Sequence, residues 1–232
     1  MNKIDVFIIA GGKCGSSTLR ETFLKQSMNT IKSHNPMCFK NQFGFDGFFS
    51  TMLSSSNNRK LIIIDAYRMP IERKISSFFH NGEKKIPNFL KLSVEEQIIL
   101  FNNEYLYEIE NQHIIYDVYK HLKIPDKKKY DANRNYFIQK YNNLIIIKLF
   151  YNDIKNWGER LSQLLGINIT MESDNMSSEK KYYNKYKQFL KQYSVPKQYL
   201  TSELPKDIEF KTFLSEKQQK EYITMWLKKC IE

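Results

Sequence analysis

A chain of 232 residues that is 41% hydrophobic and 14% aromatic can build one α/β core, and a charged fraction of 26% excludes general disorder. Its net charge of +11 favours anionic partners without choosing among a nucleotide, a glycan, a nucleic acid and an acidic membrane, because lysine runs such as Lys127-Lys128-Lys129 and Lys180-Lys181 also suit a solvated face. No stretch approaches the roughly 20 apolar residues of a membrane span, and Cys14, Cys38 and Cys230 are too few and too irregular for a disulfide framework or a zinc site, so the expected setting is the reducing cytoplasm.

The elements follow in chain order. Asp5 to Ala10 (DVFIIA) is too short an apolar run for a signal-peptide core and reads as a buried first strand, ended by Gly11-Gly12. Lys13 to Thr18 then leads into Leu19, Thr22 and Phe23 at helical spacing, which makes strand, tight loop and helix. Thr30 to Ser33 suits a short strand. Leu61 to Ala66 (LIIIDA) is a second buried strand, and Pro70 suits the first turn of a helix with the stripe Ile71, Ile75, Phe78, Phe79, closed by His80.

Ser93, with Glu96 three residues on, predicts a capping box at the start of one or two aromatic-rich helices reaching Leu122; Lys123 to Asn135 reads as a polar loop. Leu144 to Leu149 (LIIIKL) is a third buried strand. Ile154, Trp157, Leu161, Leu164 and Leu165 then mark an amphipathic helix with Gly166 at its C-cap. From Ser177 the chain is helical and basic, with breaks at Pro196 and Pro205. Continuous apolar strands alternating with amphipathic helices predict an α/β fold: a central parallel sheet covered on both faces, a three-layer sandwich with extra helices. One domain is expected over residues 1–232, with a helical insertion around 82–141.

Two segments carry chemistry. Gly11, Gly12 and Gly15 let the backbone turn tightly, loop amides and a helix N-terminus favour an anion, Lys13 adds positive charge, and Ser16, Ser17 and Thr18 add hydroxyls. The loop lacks the G-x-x-x-x-G-K-[ST] order of ATP and GTP P-loops. An ordinary strand-to-helix turn with Ser17 or Thr18 as N-cap is the plain alternative. After the second buried strand, Arg68 can offer its planar fork to a phosphate, and Ser76 lies about two helical turns further on.

Gly12-Lys13-Cys14-Gly15-Ser16-Ser17-Thr18 resembles the 5′-phosphosulfate loop of sulfotransferases that use PAPS (3′-phosphoadenosine 5′-phosphosulfate), and Arg68, Pro70, Arg73 and Ser76 resemble their second nucleotide motif. Gly12 stands where cytosolic members have proline, and Thr18 where many have tryptophan; the Gly-Ser-Ser-Thr variant is similar to the bacterial branch linked to capsular polysaccharide synthesis. Phe150 to Ile154 resembles the family's YEDL-like stretch. Asn175, Lys180, Tyr183 and Tyr186 resemble a segment of the capsule-linked branch, and Phe213 to Trp226 resembles the closing helix.

The resemblance implies a P-loop-like sulfotransferase fold and a role for each motif position. Lys13 would contact the oxygen bridging phosphate and sulfate. Gly12, Cys14, Gly15, Ser16, Ser17 and Thr18 would line the 5′-phosphosulfate, Arg68 and Ser76 would bind the 3′-phosphate, and Arg73 would pair with a carboxylate. The desulfonated nucleotide PAP would be the product. The family's habit of placing its base just after the second strand points to His34, with Asp46 and Asp65 as fallbacks.

No metal is expected, because the donor loop itself carries positive charge. The acceptor is expected to be a carbohydrate or other hydroxyl compound of anionic character, with acceptor selection lying between about Gly82 and Tyr141. Two other readings stay open. A nucleotide kinase or NTPase shares the anion-binding loop. A non-enzymatic polyanion-binding module is allowed by the charge and by 16 Phe and 15 Tyr, though nucleic acid is not expected without a base-stacking signature.

Overall fold

Runs of β-branched residues buried on both sides favour extended backbone, and the apolar runs become strands. A computed structural model describes residues 5–33, 60–108, 135–141, 143–172 and 180–229. Among them, β1 (Asp5–Ile9), β2 (Asn29–Ser33), β3 (Leu61–Tyr67), β4 (Tyr136–Tyr141) and β5 (Leu144–Phe150) form a five-stranded sheet in the order β2-β1-β3-β5-β4. The α-helices among the described residues are α1 (Ser16–Lys25), α2 (Pro70–Lys85), α3 (Val94–Leu100), α4 (Trp157–Leu165), α5 (Tyr183–Gln192), α6 (Ile208–Phe213) and α7 (Glu216–Leu227). Among the described residues no helix is long and apolar enough to cross a membrane.

The protein is an α/β protein whose sheet is mixed and mostly parallel. β2, β1, β3 and β5 run parallel, while β4 pairs antiparallel with β5. This corrects the expectation of a wholly parallel sheet. It also corrects the helical stretch expected as far as residue 141, whose last residues are β4. Asn142 and Asn143 alone separate β4 from β5, a spacing that permits a hairpin, whereas a parallel pairing needs a crossover of about a dozen residues or more. Half-exposed β4 has little apolar alternation to announce it.

The chain divides into two compact units, Met1–Arg68 with Gln112–Asn175 and Met69–Asn111 with Met176–Glu232. In the first unit, α1 and α4 cover one face of the sheet. Leu19 and Phe23 of α1 and Trp157, Leu161 and Leu165 of α4 pack with Val6, Ile8, Ile62, Ile64, Ile145, Ile147 and Leu149. Gly166 closes α4 in the left-handed conformation, as expected, at φ 69°. The chain beyond α4 is tied to α1, where Thr22 Oγ1 accepts the Glu172 N–H at 3.0 Å and Lys25 meets the Glu172 carboxylate at 2.6 Å.

On the other face, Phe7, Ile63, Tyr67 and Ile146 are also buried, and one ion pair is sunk among them. Lys148 Nζ lies 2.6 Å from Asp65 Oδ2, the two side chains 1% and 8% exposed, on residues directly paired between β5 and β3. The second Asp65 oxygen accepts the Ala66 N–H at 2.7 Å.

The second unit is built on rings. Phe78 and Phe79 of α2 meet Phe89, Phe101 and Phe189 at centroid distances of 5.1–5.9 Å. Pro70 starts α2 and the Ser93–Glu96 capping box opens α3, as the sequence predicts, and Arg73 pairs with a carboxylate, as the resemblance implies, that of the buried Glu209 at 3.6 Å. α2 runs on to Lys85, so His80 sits inside it, 3.2 Å from Lys84 Nζ, and is not its cap.

Removing one partner of a buried ion pair leaves the other charge uncompensated, at a cost of about 3–5 kcal/mol. Lys148→Met is therefore expected to destabilise the chain by about that amount in urea unfolding, and Asp65→Leu/Lys148→Met to recover most of the loss. Equal stability of the two variants would show that the pair carries no such penalty.

Candidate functional site

The strand order sets the place. From β1 the chain goes to β2 on one side, then crosses to β3 on the other, so the carboxyl ends of β1 and β3 flank a topological switch point, where open α/β sheets bind ligands. The loop from Ala10 to Gly15 leaves β1 there, and Arg68 follows the last residue of β3.

The loop is held in an unusual conformation. Lys13 has φ 66° and Gly15 φ 86°, both left-handed. Gly15 must be glycine for a second reason. A Cβ placed on it would lie 2.9 Å from Trp157 Cη2 and 3.0 Å from Cζ3. Trp157 cannot easily yield, being fully buried with its indole N–H donating to the Phe150 carbonyl at 2.9 Å. Gly12 has no positive φ and no atom within 4 Å of an added Cβ, so a side chain fits there.

Gly15, not Ser17 or Thr18, is the N-cap of α1, with no side-chain capping bond. The first amide bonded back into the helix is that of Leu19, to the Gly15 carbonyl at 3.1 Å. Ser16, Ser17 and Thr18 thus form the first turn, with their amides at the positive end of the helix dipole. Ser16 is buried; Ser17 and Thr18 are partly exposed. The Cys14 side chain points into the core, its thiol 3.5 Å from the Gly12 carbonyl, which leaves its backbone amide as its contribution to an anion site.

Two further cations converge on this loop. Lys32 Nζ, from β2, donates to Ser17 Oγ at 2.9 Å. Arg68 Nη1 donates to the Lys13 carbonyl at 3.1 Å, across 55 residues of sequence, and its guanidinium lies over the Tyr151 ring, 4.4 Å from the centroid. Lys13, Lys32 and Arg68 therefore come together around the helix start within the first unit.

Of the other sequence-derived candidates, Ser76 belongs to the second unit, where it is buried in α2. Asp65 is committed to Lys148 and to the Ala66 amide, a poor arrangement for a proton acceptor. His34, Asp46, His113, His121 and Asn175 lie outside the described residues. Tyr186 packs on Phe79 at 5.4 Å, so its place is in the aromatic core of the second unit. No protein-family model and no curated protein matches the chain.

Lys32, Tyr151 and Trp157 are the site residues that sequence reasoning missed or placed elsewhere. The only signal for Lys32 was a lysine near the end of a short strand. Trp157 was visible as one residue of an amphipathic stripe, with nothing to announce its approach to Gly15.

Gly15→Ala combines a left-handed φ, costing about 1–2 kcal/mol for an L-residue, with overpacking against Trp157 worth about 1–3 kcal/mol. It is expected to lower unfolding free energy by at least about 2 kcal/mol, while Gly12→Ala stays within about 0.5 kcal/mol of wild type. Urea unfolding of the two variants checks this; equal losses would refute the steric assignment.

Proposed function

We propose that the chain is a PAPS-dependent sulfotransferase, a three-layer, P-loop-like α/β enzyme that moves a sulfuryl group from the nucleotide to an acceptor hydroxyl. The observation that carries the reading is the Arg68–Lys13 hydrogen bond. Arg68, the first residue of the second motif, is distant in sequence from the loop of the first motif and is bonded to it. The loop lacks the Gly-Lys-Ser/Thr order of a magnesium-triphosphate P-loop, and Lys32 and Arg68 add positive charge beside its single lysine.

In this reading the amides and hydroxyls from Gly15 to Thr18 bind the 5′-phosphosulfate, Arg68 meets the 3′-phosphate, and Ser76 is assigned to that phosphate by resemblance alone. The acceptor oxygen attacks sulfur, the bond between sulfur and the bridging oxygen breaks, and PAP departs with the electron pair. The acceptor's proton passes to His34, the residue after β2, whose last residue Ser33 is paired with Ile9 at the end of β1. Charge develops on the bridging oxygen as the bond breaks, and preorganised cations at that point lower the barrier. Lys13 is assigned that role and Lys32 supports the same loop, so the chemistry calls for no metal. The +11 charge suits an anionic glycan or its precursor as acceptor, in the cytoplasm.

PAP is expected to raise the melting temperature far more than AMP, ADP or ATP. A ligand at about 100 times its dissociation constant adds about 2.7 kcal/mol of stability. Equal shifts for PAP and AMP remove the 3′-phosphate claim. A larger shift with ATP and magnesium favours a kinase or NTPase, and steeply salt-dependent binding with no nucleotide preference favours a polyanion-binding module.

Lys13→Ala and His34→Ala should separate charge stabilisation from proton transfer. With an acceptor found among sugars and capsule fragments, Lys13→Ala is expected to reduce turnover more than donor affinity. His34→Ala should keep PAP affinity and lose roughly 10²–10⁴-fold in rate, together with the pH-rate limb near the histidine pKa, about 6.5 when unperturbed. Near-normal turnover of His34→Ala on a genuine acceptor dismisses this histidine as the base.

A further inference from the structure

We infer that Tyr151 is a positioning residue for Arg68: its ring holds the guanidinium plane beside the phosphate loop and so fixes the angle at which the arginine meets the nucleotide. The inference rests on the sulfotransferase reading for the identity of that nucleotide.

Sheet register brings the pair together. Tyr67 of β3 is paired with Phe150 of β5, and Arg68 and Tyr151 are the next residues on these parallel neighbours. The guanidinium carbon stands 4.4 Å above the Tyr151 centroid, and Nη1 of the same group donates to the Lys13 carbonyl at 3.1 Å. Two contacts thus hold the guanidinium, one with the ring and one with the loop carbonyl.

The ring itself has a firm mounting. Tyr151 opens the 3₁₀ turn Tyr151–Asn156, in which buried Asp153 accepts from Asn156 Nδ2 at 2.6 Å and from Arg160 Nε. The bond that Arg160 donates to the Asp153 carboxylate also raises the Arg160 pKa. The Tyr151 ring meets Trp157, the residue behind Gly15, edge-on at 6.4 Å. The short turn thus carries the support of the arginine and leads directly into Trp157, against which the loop glycine packs.

An arginine at a strand end otherwise gives up much rotamer freedom when it binds a phosphate, and stacking removes that loss in advance. The support comes from the aromatic face, so the phenolic hydroxyl is dispensable.

The test is a PAP titration by calorimetry of wild type, Tyr151→Phe, Tyr151→Leu, Arg68→Gln and the double variant Tyr151→Leu/Arg68→Gln, with urea unfolding to establish that each is folded. Tyr151→Phe is expected to bind as wild type does, and Tyr151→Leu to bind roughly three- to twentyfold more weakly, the range a cation–π contact spans. The double variant is expected to bind no more weakly than Arg68→Gln alone, because the ring acts only through the arginine.

Should Tyr151→Leu fail to fold, Tyr151→Met takes its place in the cycle. Additive losses in the double variant, or full affinity in Tyr151→Leu, overturn the positioning role while leaving the sulfotransferase reading intact. A wild-type chain that binds no PAP overturns both.

Discussion

Parallel pairing of β1 with both β2 and β3 is the constraint on which the rest of the first unit depends. The register places Lys32, Ile8, Ile64 and Ile147 in one row across four strands. β3 and β5 then continue together to Tyr67 and Phe150, so the chain leaves the sheet at one edge with its basic and aromatic residues side by side. Side chains alternate between faces along a strand, so a slip of one residue in β2 would turn Lys32 away from Ser17. Backbone hydrogen bonds, not the basic residues themselves, therefore decide which cations reach the loop.

Within that frame the loop keeps a conformation that costs energy. A lysine at φ 66° is disfavoured by about 1–2 kcal/mol relative to the right-handed region, and such outliers persist only where surrounding structure over-determines them. Here the determinants are visible. Arg68 grips the Lys13 carbonyl, Trp157 closes the space behind Gly15, and the Cys14 side chain anchors the loop in the core between them. The strain falls on the residue whose ammonium group is assigned to the leaving oxygen, and the groups that maintain it are the neighbours of that same site.

The sequence was most legible where a local rule had one solution. β1, β3 and β5 were readable as short, mostly apolar runs rich in β-branched residues, α2 from Pro70, and the start of α3 from Ser93 and Glu96, because each signal is complete within a few residues. The loop was readable from its glycines and hydroxyls, yet its helix start was not. The hydroxyl cap of the plain alternative is not formed: a left-handed Gly15 caps the helix, and Trp157, about 140 residues later, leaves no room for a side chain there. β4 escaped because an edge strand needs little apolar patterning. Lys32, Tyr151 and the Asp65–Lys148 pair escaped because their contacts depend on register between strands distant in sequence, which local patterning cannot supply. Asp65 illustrates the difference: as a sequence letter it is a candidate base, and in the sheet it is half of a buried ion pair.

The cysteine in the loop adds a property of its own. Its thiol is 1% exposed, packed in the core, and directed at the carbonyl of Gly12. No alkylating reagent can reach that sulfur until the turn between β1 and α1 lifts away from the sheet, so its reaction rate counts openings of the loop. A ligand that clasps the loop slows this clock, and one that binds elsewhere leaves it running. The loop thus carries an internal timer of its own opening, readable by mass spectrometry without any knowledge of a ligand.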